Sequence, residues 1–115
     1  MNVKIYHNPR CSKSRQTLAL LEARNIKPEI VEYLQNAPSA NDIRELINML
    51  GLSSARQLMR TGEAVYKDLD LKLVNDENQL ILAMVEHPKL IERPIVITNG
   101  KAAIGRPPES VLAIL

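Results

Sequence analysis

The spacing of apolar and polar positions changes several times along the chain, and each change predicts an element. Val3-Lys4-Ile5-Tyr6 alternates and then meets the turn-prone His7-Asn8-Pro9, which predicts a first strand. From Ser12 the period becomes helical. Thr17, Leu18, Leu21 and Ala23 fall near one stripe, while Lys13, Arg15, Gln16 and Glu22 can face water. Asn25 and Pro28 predict the end of that helix. Glu29-Ile30-Val31-Glu32-Tyr33-Leu34 is rich in β-forming residues and predicts a second strand. Strand, helix and strand at this spacing make a βαβ unit, with parallel strands and a right-handed crossover.

The next block, about 39–88, reads as helical throughout. Ser39-x-x-Asp42 predicts a capping box, and Ile43, Leu46, Ile47 and Leu50 follow at helical spacing until Gly51. A short helix beginning at Ser53 or Ser54 carries Leu58 and Met59. Asp76-x-x-Gln79 predicts the cap of another, with Leu80, Ile81, Met84 and Val85 inward and Pro88 beyond its end. Ile95-Val96-Ile97-Thr98, Asn99-Gly100 and Lys101-Ala102-Ala103-Ile104 then form the pattern of a β-hairpin, because Asn and Gly accept the positive φ of a type I′ turn. Pro107-Pro108-Glu109 opens a last short helix containing Val111, Leu112 and Leu115. The order is βαβ, a helical insertion, then ββα. It predicts an α/β fold of thioredoxin-like topology: a four-stranded mixed sheet with a helical subdomain inserted between its two halves.

Composition narrows the function classes. A chain of 115 residues predicts a single domain, 1–115, able to bury a core without staples. Three Tyr, with no Phe or Trp, leave no platform for stacking nucleic-acid bases, and a net charge of +2 is too mild for a nucleic-acid or membrane surface. The longest apolar runs are far shorter than the roughly 18 residues of a membrane span. The polar start Met1-Asn2-Val3-Lys4 lacks a signal-peptide core. The expected location is therefore the cytoplasm, with no nucleic-acid and no membrane partner. A single cysteine excludes an internal disulfide or a Cys-rich zinc site within these residues, and no metal site is expected.

That cysteine, Cys11, falls between the first strand and first helix, at the carboxyl edge of a parallel strand pair, where open α/β sheets bind ligands. Unsatisfied N–H groups at the helix start favour a thiolate, and His7, Arg10, Lys13 and Arg15 add positive charge nearby in sequence. Ser14 completes a Cys-x-x-Ser pattern and can donate its hydroxyl to the sulfur. An isolated cysteine is more often an inert core residue, but this location reverses the odds. The same loop can cradle an anion or simply cap a helix, and composition leaves these readings about even. Arg60, Arg93 and Arg106 stand at element edges. For any one alone a solvated or ion-paired side chain is the ordinary reading, yet a tetrahedral oxyanion calls for several planar, permanently charged donors. His87, next to Pro88, is expected only to complement a helix C-terminus.

The run His7-Asn8-Pro9-Arg10-Cys11-Ser12-Lys13-Ser14-Arg15-Gln16-Thr17-Leu18 closely resembles the active-site segment of the glutathione- and glutaredoxin-dependent arsenate reductases. Leu58-Met59-Arg60, His87-Pro88, Glu92-Arg93-Pro94-Ile95-Val96 and Gly105-Arg106-Pro107 follow in family order, so the resemblance covers nearly the whole chain. It implies a thioredoxin-like fold, Cys11 as the catalytic cysteine, and Arg60, Arg93 and Arg106 as oxyanion-binding residues. It further implies His7 and Ser14 as residues that tune or orient the thiolate, and Pro94 as a cis-proline. The chain stops at Leu115, without the C-terminal extension of some plasmid-encoded members.

These features predict reduction of arsenate to arsenite through a covalent Cys11–arsenate intermediate, with phosphate as a weak competitor. With one cysteine in the sequence, the resolving thiol must come from outside, in agreement with the family's use of glutathione as co-substrate and glutaredoxin as partner. No bound cofactor is expected. Two other readings of the same fold stand beside this one. A thiol-sensing regulator that binds RNA polymerase commonly carries Cys-x-x-Cys, where this chain has Ser14; a monothiol glutaredoxin-like enzyme would act on glutathione mixed disulfides.

Overall fold

The alternation at the start of the chain becomes β1 (Val3–Tyr6), with Val3 and Ile5 both buried. In the computed structural model, which describes residues 2–115, β1 lies at the centre of a four-stranded sheet of order β2-β1-β3-β4. It pairs in parallel with β2 (Glu29–Val31) and antiparallel with β3 (Ile95–Thr98), which in turn pairs antiparallel with β4 (Lys101–Ile104). Helix α1 (Ser12–Ala23) connects the parallel pair. The predicted α/β fold, thioredoxin-like with a mixed sheet, is borne out.

The register explains the core of this unit. Ile5 lies opposite Val96, and Val96 opposite Ala103, so one face of the sheet presents a row of aliphatic side chains. Val3, Ile5, Leu21, Val96 and Val111 are buried together, with Leu18, Ile26, Ile114 and Leu115 packed around them. Each such side chain contributes about 1.5–3 kcal/mol on full burial. This apolar seam, rather than any single polar contact, holds α1 and the C-terminal segment to the sheet. Asn99 (φ 54°) and Gly100 (φ 73°) make the expected turn between β3 and β4.

Around the sheet, local expectations differ from the structure at α1, at β2 and at the last helix. Ala23 is exposed, whereas Ser14 is fully buried, so the inward face of α1 is rotated toward its polar N-terminus. Strand β2 ends at Val31 instead of Leu34, because the Glu32 carbonyl accepts from the N–H groups of Gln35 and Asn36 and the turn buries Tyr33. The last helix, Pro108–Ile114, is a 3₁₀ helix, packed on α1 and β4.

The chain divides into two compact units. The sheet, α1 and the C-terminal 3₁₀ helix form the first, from the residues up to Asn36 together with Arg93–Leu115; Ala37–Glu92 forms the second. In the second, α2 (Ala40–Met49) carries the Ser39–Asp42 capping box, and the Asp76 side chain caps α4 (Glu77–Glu86). Between them lie the short helix expected from Ser53 or Ser54, a 3₁₀ helix at Ala55–Leu58, and α3 (Ala64–Asp68), which alone was not predicted by the hydrophobic pattern. Met59, expected on the short helix, instead forms an antiparallel bridge with Ile91. Arg56 ties this unit internally, donating to the Tyr66 hydroxyl and to the carbonyls of Leu71 and Val74. Among the described residues no helix is long and apolar enough to cross a membrane.

Candidate active site

Cys11 occupies the N-cap of α1, in extended conformation (φ −94°, ψ 125°). The loop before it is closed by local hydrogen bonds. Cys11 N–H donates to the Asn8 carbonyl (3.0 Å), Arg10 N–H to Asn8 Oδ1 (3.0 Å), and Arg15 Nη1 to the Pro9 carbonyl (3.0 Å). These bonds arise because Asn and Pro favour a turn over continuation of β1. They leave Cys11, a buried residue, at the start of the helix.

Burial pushes the Cys11 thiol up, but the opposing groups together outweigh it. The amide of Ser14 is the largest of these, followed by the Arg93 guanidinium and the amide of Lys13, and the net position is below the ordinary thiol range. No conventional cap bond closes on the sulfur. The two amides nevertheless belong to the first turn of α1, its positive end, and favour the thiolate. Arg106 adds a second guanidinium, with Nη2 3.6 Å from Sγ, and its Nε donates to the Arg93 carbonyl at 2.7 Å. The two arginines are thus linked as well as both being directed at the sulfur. Arg93–Pro94 is cis, as the family resemblance implied, and Arg106–Pro107 is also cis.

His7 and Ser14 form a separate polar pair behind the loop. Ser14 Oγ lies 2.6 Å from His7 Nδ1 and accepts from the Asn8 N–H at 3.0 Å. The Ser14 hydroxyl, expected to donate to the sulfur, is therefore engaged elsewhere; Ser14 meets the sulfur through its backbone. Burial pushes the His7 pKa down, against the Glu32 carboxylate and with the help of Arg15. Through Ser14 Oγ, His7 Nδ1 and the Asn8 N–H are joined, which ties the end of β1 to the first turn of α1.

Five of the six sequence-predicted residues (His7, Cys11, Ser14, Arg93 and Arg106) belong to the first unit. Arg60 belongs to the second. There its Nη1 donates to Glu63 Oε1 and its Nε lies 3.6 Å from Glu92 Oε1. Sequence analysis missed these two carboxylates, although the i,i+3 spacing of Arg60 and Glu63 was visible. It also gave Asn8 no role in closing the loop. Among the described residues no group of three or more His, Cys, Asp or Glu side chains could hold a metal ion.

One further feature bears on what the site can bind. Arg93 Nε is buried with no hydrogen-bond partner among the described residues. A buried donor without an acceptor costs about 1–3 kcal/mol, so such groups are nearly always paired. An oxyanion carries lone pairs of the kind such a donor lacks here.

Residues 6–114 match the model of the ArsC family. An arsenate reductase of Haemophilus influenzae is 53% identical over 116 residues, covering 100% of both chains. One of Neisseria meningitidis is 51% identical over 114 residues, covering 98% of this chain and 97% of the relative. The structure of an arsenate reductase from Vibrio cholerae superposes with a TM-score of 0.97 at 53% identity, covering 100% of this chain and 98% of that one.

Proposed function

The chain belongs to the ArsC family, and from that premise we propose that it reduces arsenate to arsenite at Cys11. The observation that carries the reading is a sulfur whose pKa is held down beside the guanidiniums of Arg93 and Arg106, the first with a buried donor lacking an acceptor. A lone reactive thiol needs no such pair of forks; a thiol that attacks a tetrahedral oxyanion does.

In the proposed reaction Cys11 Sγ attacks the arsenic of arsenate, and one arsenate oxygen leaves as water. Arg93 and Arg106 hold the remaining oxygens and offset their charge, and the family resemblance assigns Arg60 as the third such ligand. Glutathione displaces a second oxygen as water. A glutaredoxin thiolate then attacks the glutathione sulfur, forming a mixed disulfide and leaving the bonding electron pair on arsenic, which becomes As(III). Water displaces Cys11 and arsenite departs. Both external thiols are required because the sequence has no second cysteine to close a disulfide with Cys11. His7, Ser14 and Asn8 do not touch the substrate in this scheme; they hold the loop that presents the sulfur.

The test is arsenite formation from arsenate with glutathione and glutaredoxin, comparing wild type with Cys11→Ser. Wild type should turn over and the variant should fall to the background rate. Equal arsenite formation by both proteins would overturn the proposal.

A further inference from the structure

Within the second unit, Arg60, Glu63 and Glu92 line a cleft of about 400 Å³ together with Thr61 and Gly62. Two backbone hydrogen bonds set the segments side by side: Arg60 N–H to the Leu90 carbonyl at 2.7 Å, and Glu92 N–H to the Leu58 carbonyl at 2.8 Å. The Met59–Ile91 bridge lies between them. The side chains of Arg60, Glu63 and Glu92 are 27%, 28% and 25% exposed, so solvent screens them only in part. Arg60 thus has a carboxylate on each side, Glu63 at Nη1 and Glu92 at Nε.

A carboxylate in direct contact is unexpected beside a guanidinium meant to receive an anion. An oxyanion on Arg60 brings its oxygens against carboxylate oxygens. An ionised carboxylate accepts hydrogen bonds and donates none. Oxygen can face oxygen only with a proton between them. Hydrogen arsenate and hydrogen phosphate keep such a proton near neutral pH, whereas sulfate has lost both of its own. We propose that Glu63 is a specificity-determining residue, accepting the proton of a protonated tetrahedral oxyanion and turning sulfate away. The inference rests on the reading of Arg60 as an oxyanion ligand.

The geometry favours Glu63 over Glu92 for this part. Glu63 Oε1 accepts from Arg60 Nη1, and Oε2 of the same carboxylate takes no hydrogen bond among the described residues. An oxyanion engaging the Nη edge of Arg60 therefore meets Glu63, while Glu92 lies on the Nε side. A site built to receive a substrate hydrogen bond can reject an analogue lacking it by up to about 10⁴-fold. Partial exposure places Glu63 near the lower end, about 10-fold.

Calorimetric titration with inorganic phosphate and with sulfate at neutral pH tests this on the full chain. Wild type should prefer phosphate by about 10-fold, and Glu63→Gln should narrow the ratio to about 2-fold, chiefly by gaining sulfate. Glu63→Asp retains a carboxylate and should retain the preference. An unchanged ratio in Glu63→Gln overturns the proposal. That includes both anions tightening equally, the mark of simple competition for Arg60, or weakening equally, the mark of a purely orienting role. No binding of either anion by wild type would overturn it as well. Arsenite formation by the same wild-type preparation separates the two readings. Turnover without the anion preference removes only the role of Glu63; the preference without turnover removes only arsenate reduction.

Discussion

Gly105 follows β4 and precedes Arg106, and its N–H donates to the Pro94 carbonyl at 2.9 Å. A Cβ at this position would lie 2.5 Å from Thr17 Oγ1, 2.8 Å from Pro94 Cγ and 3.2 Å from Thr17 Cγ2. Neither neighbour yields easily. Thr17 is fully buried and its hydroxyl donates to the Lys13 carbonyl at 2.8 Å, so turning the side chain away breaks that bond. The Pro94 ring has little freedom of its own. Overpacking of this kind costs about 1–3 kcal/mol, and loss of the Thr17 bond adds about 1 kcal/mol. Gly105→Ala should therefore lose about 2–4 kcal/mol, a fall in Tm on the order of 10 °C. Urea unfolding followed by far-UV circular dichroism measures it, with an unchanged m-value showing that the two-state transition is preserved. Gly62→Ala is the control, because a Cβ there meets nothing within 4 Å; it should stay within about 0.5 kcal/mol of wild type. A Gly105→Ala protein as stable as Gly62→Ala would refute the reasoning.

Ser14→Ala removes the group that pairs with both His7 Nδ1 and the Asn8 N–H, leaving one buried and one part-buried partner without it. At about 1–3 kcal/mol for such a group, the expected loss is about 2–4 kcal/mol, read by the same unfolding experiment; a change under about 0.5 kcal/mol would show that solvent replaces the pair. Cys11 should react with iodoacetamide along a pH profile whose inflection lies below the ordinary thiol range, and Arg93→Gln should move that inflection upward. An ordinary inflection in wild type would contradict the account of the loop. Because the folded pKa is depressed, the thiolate's contribution to stability is fully present above the unfolded-state pKa. It is lost as pH falls through the lowered pKa of folded Cys11.

Arg56 and Arg60 stand four residues apart and have different fates. Arg56 is consumed in holding the second unit together, bonding one hydroxyl and two carbonyls. Arg60 faces a polar cleft between two carboxylates. Their flanks differ, since Arg56 follows Ser54-Ala55 whereas Arg60 follows Leu58-Met59 and precedes Thr61-Gly62, but neither flank names a partner. Its place at an element edge and the family resemblance marked Arg60, and only the structure supplied its acidic partners.

What could be read from the chain alone was what its neighbours along the chain decide. Alternation in Val3–Tyr6, the Ser39–Asp42 box, the Asp76 cap and the Asn99-Gly100 turn depend on backbone preferences and on side chains a few residues away. The same local logic placed Cys11 at the start of a helix and gave it reason to ionise. The tertiary structure decided the rest. Arg106 reaches the Cys11 sulfur across 95 positions of sequence, and Gly105 must lack a side chain because Thr17 and Pro94 converge on it. Strand β2 stops early because Tyr33 is better buried in a turn than extended at a sheet edge. The hydroxyl of Ser14 belongs to His7 rather than to the sulfur because a buried polar atom bonds whatever the fold brings within reach. Periodicity carries no information about such partners, since it records which way a side chain faces and not what it will meet there.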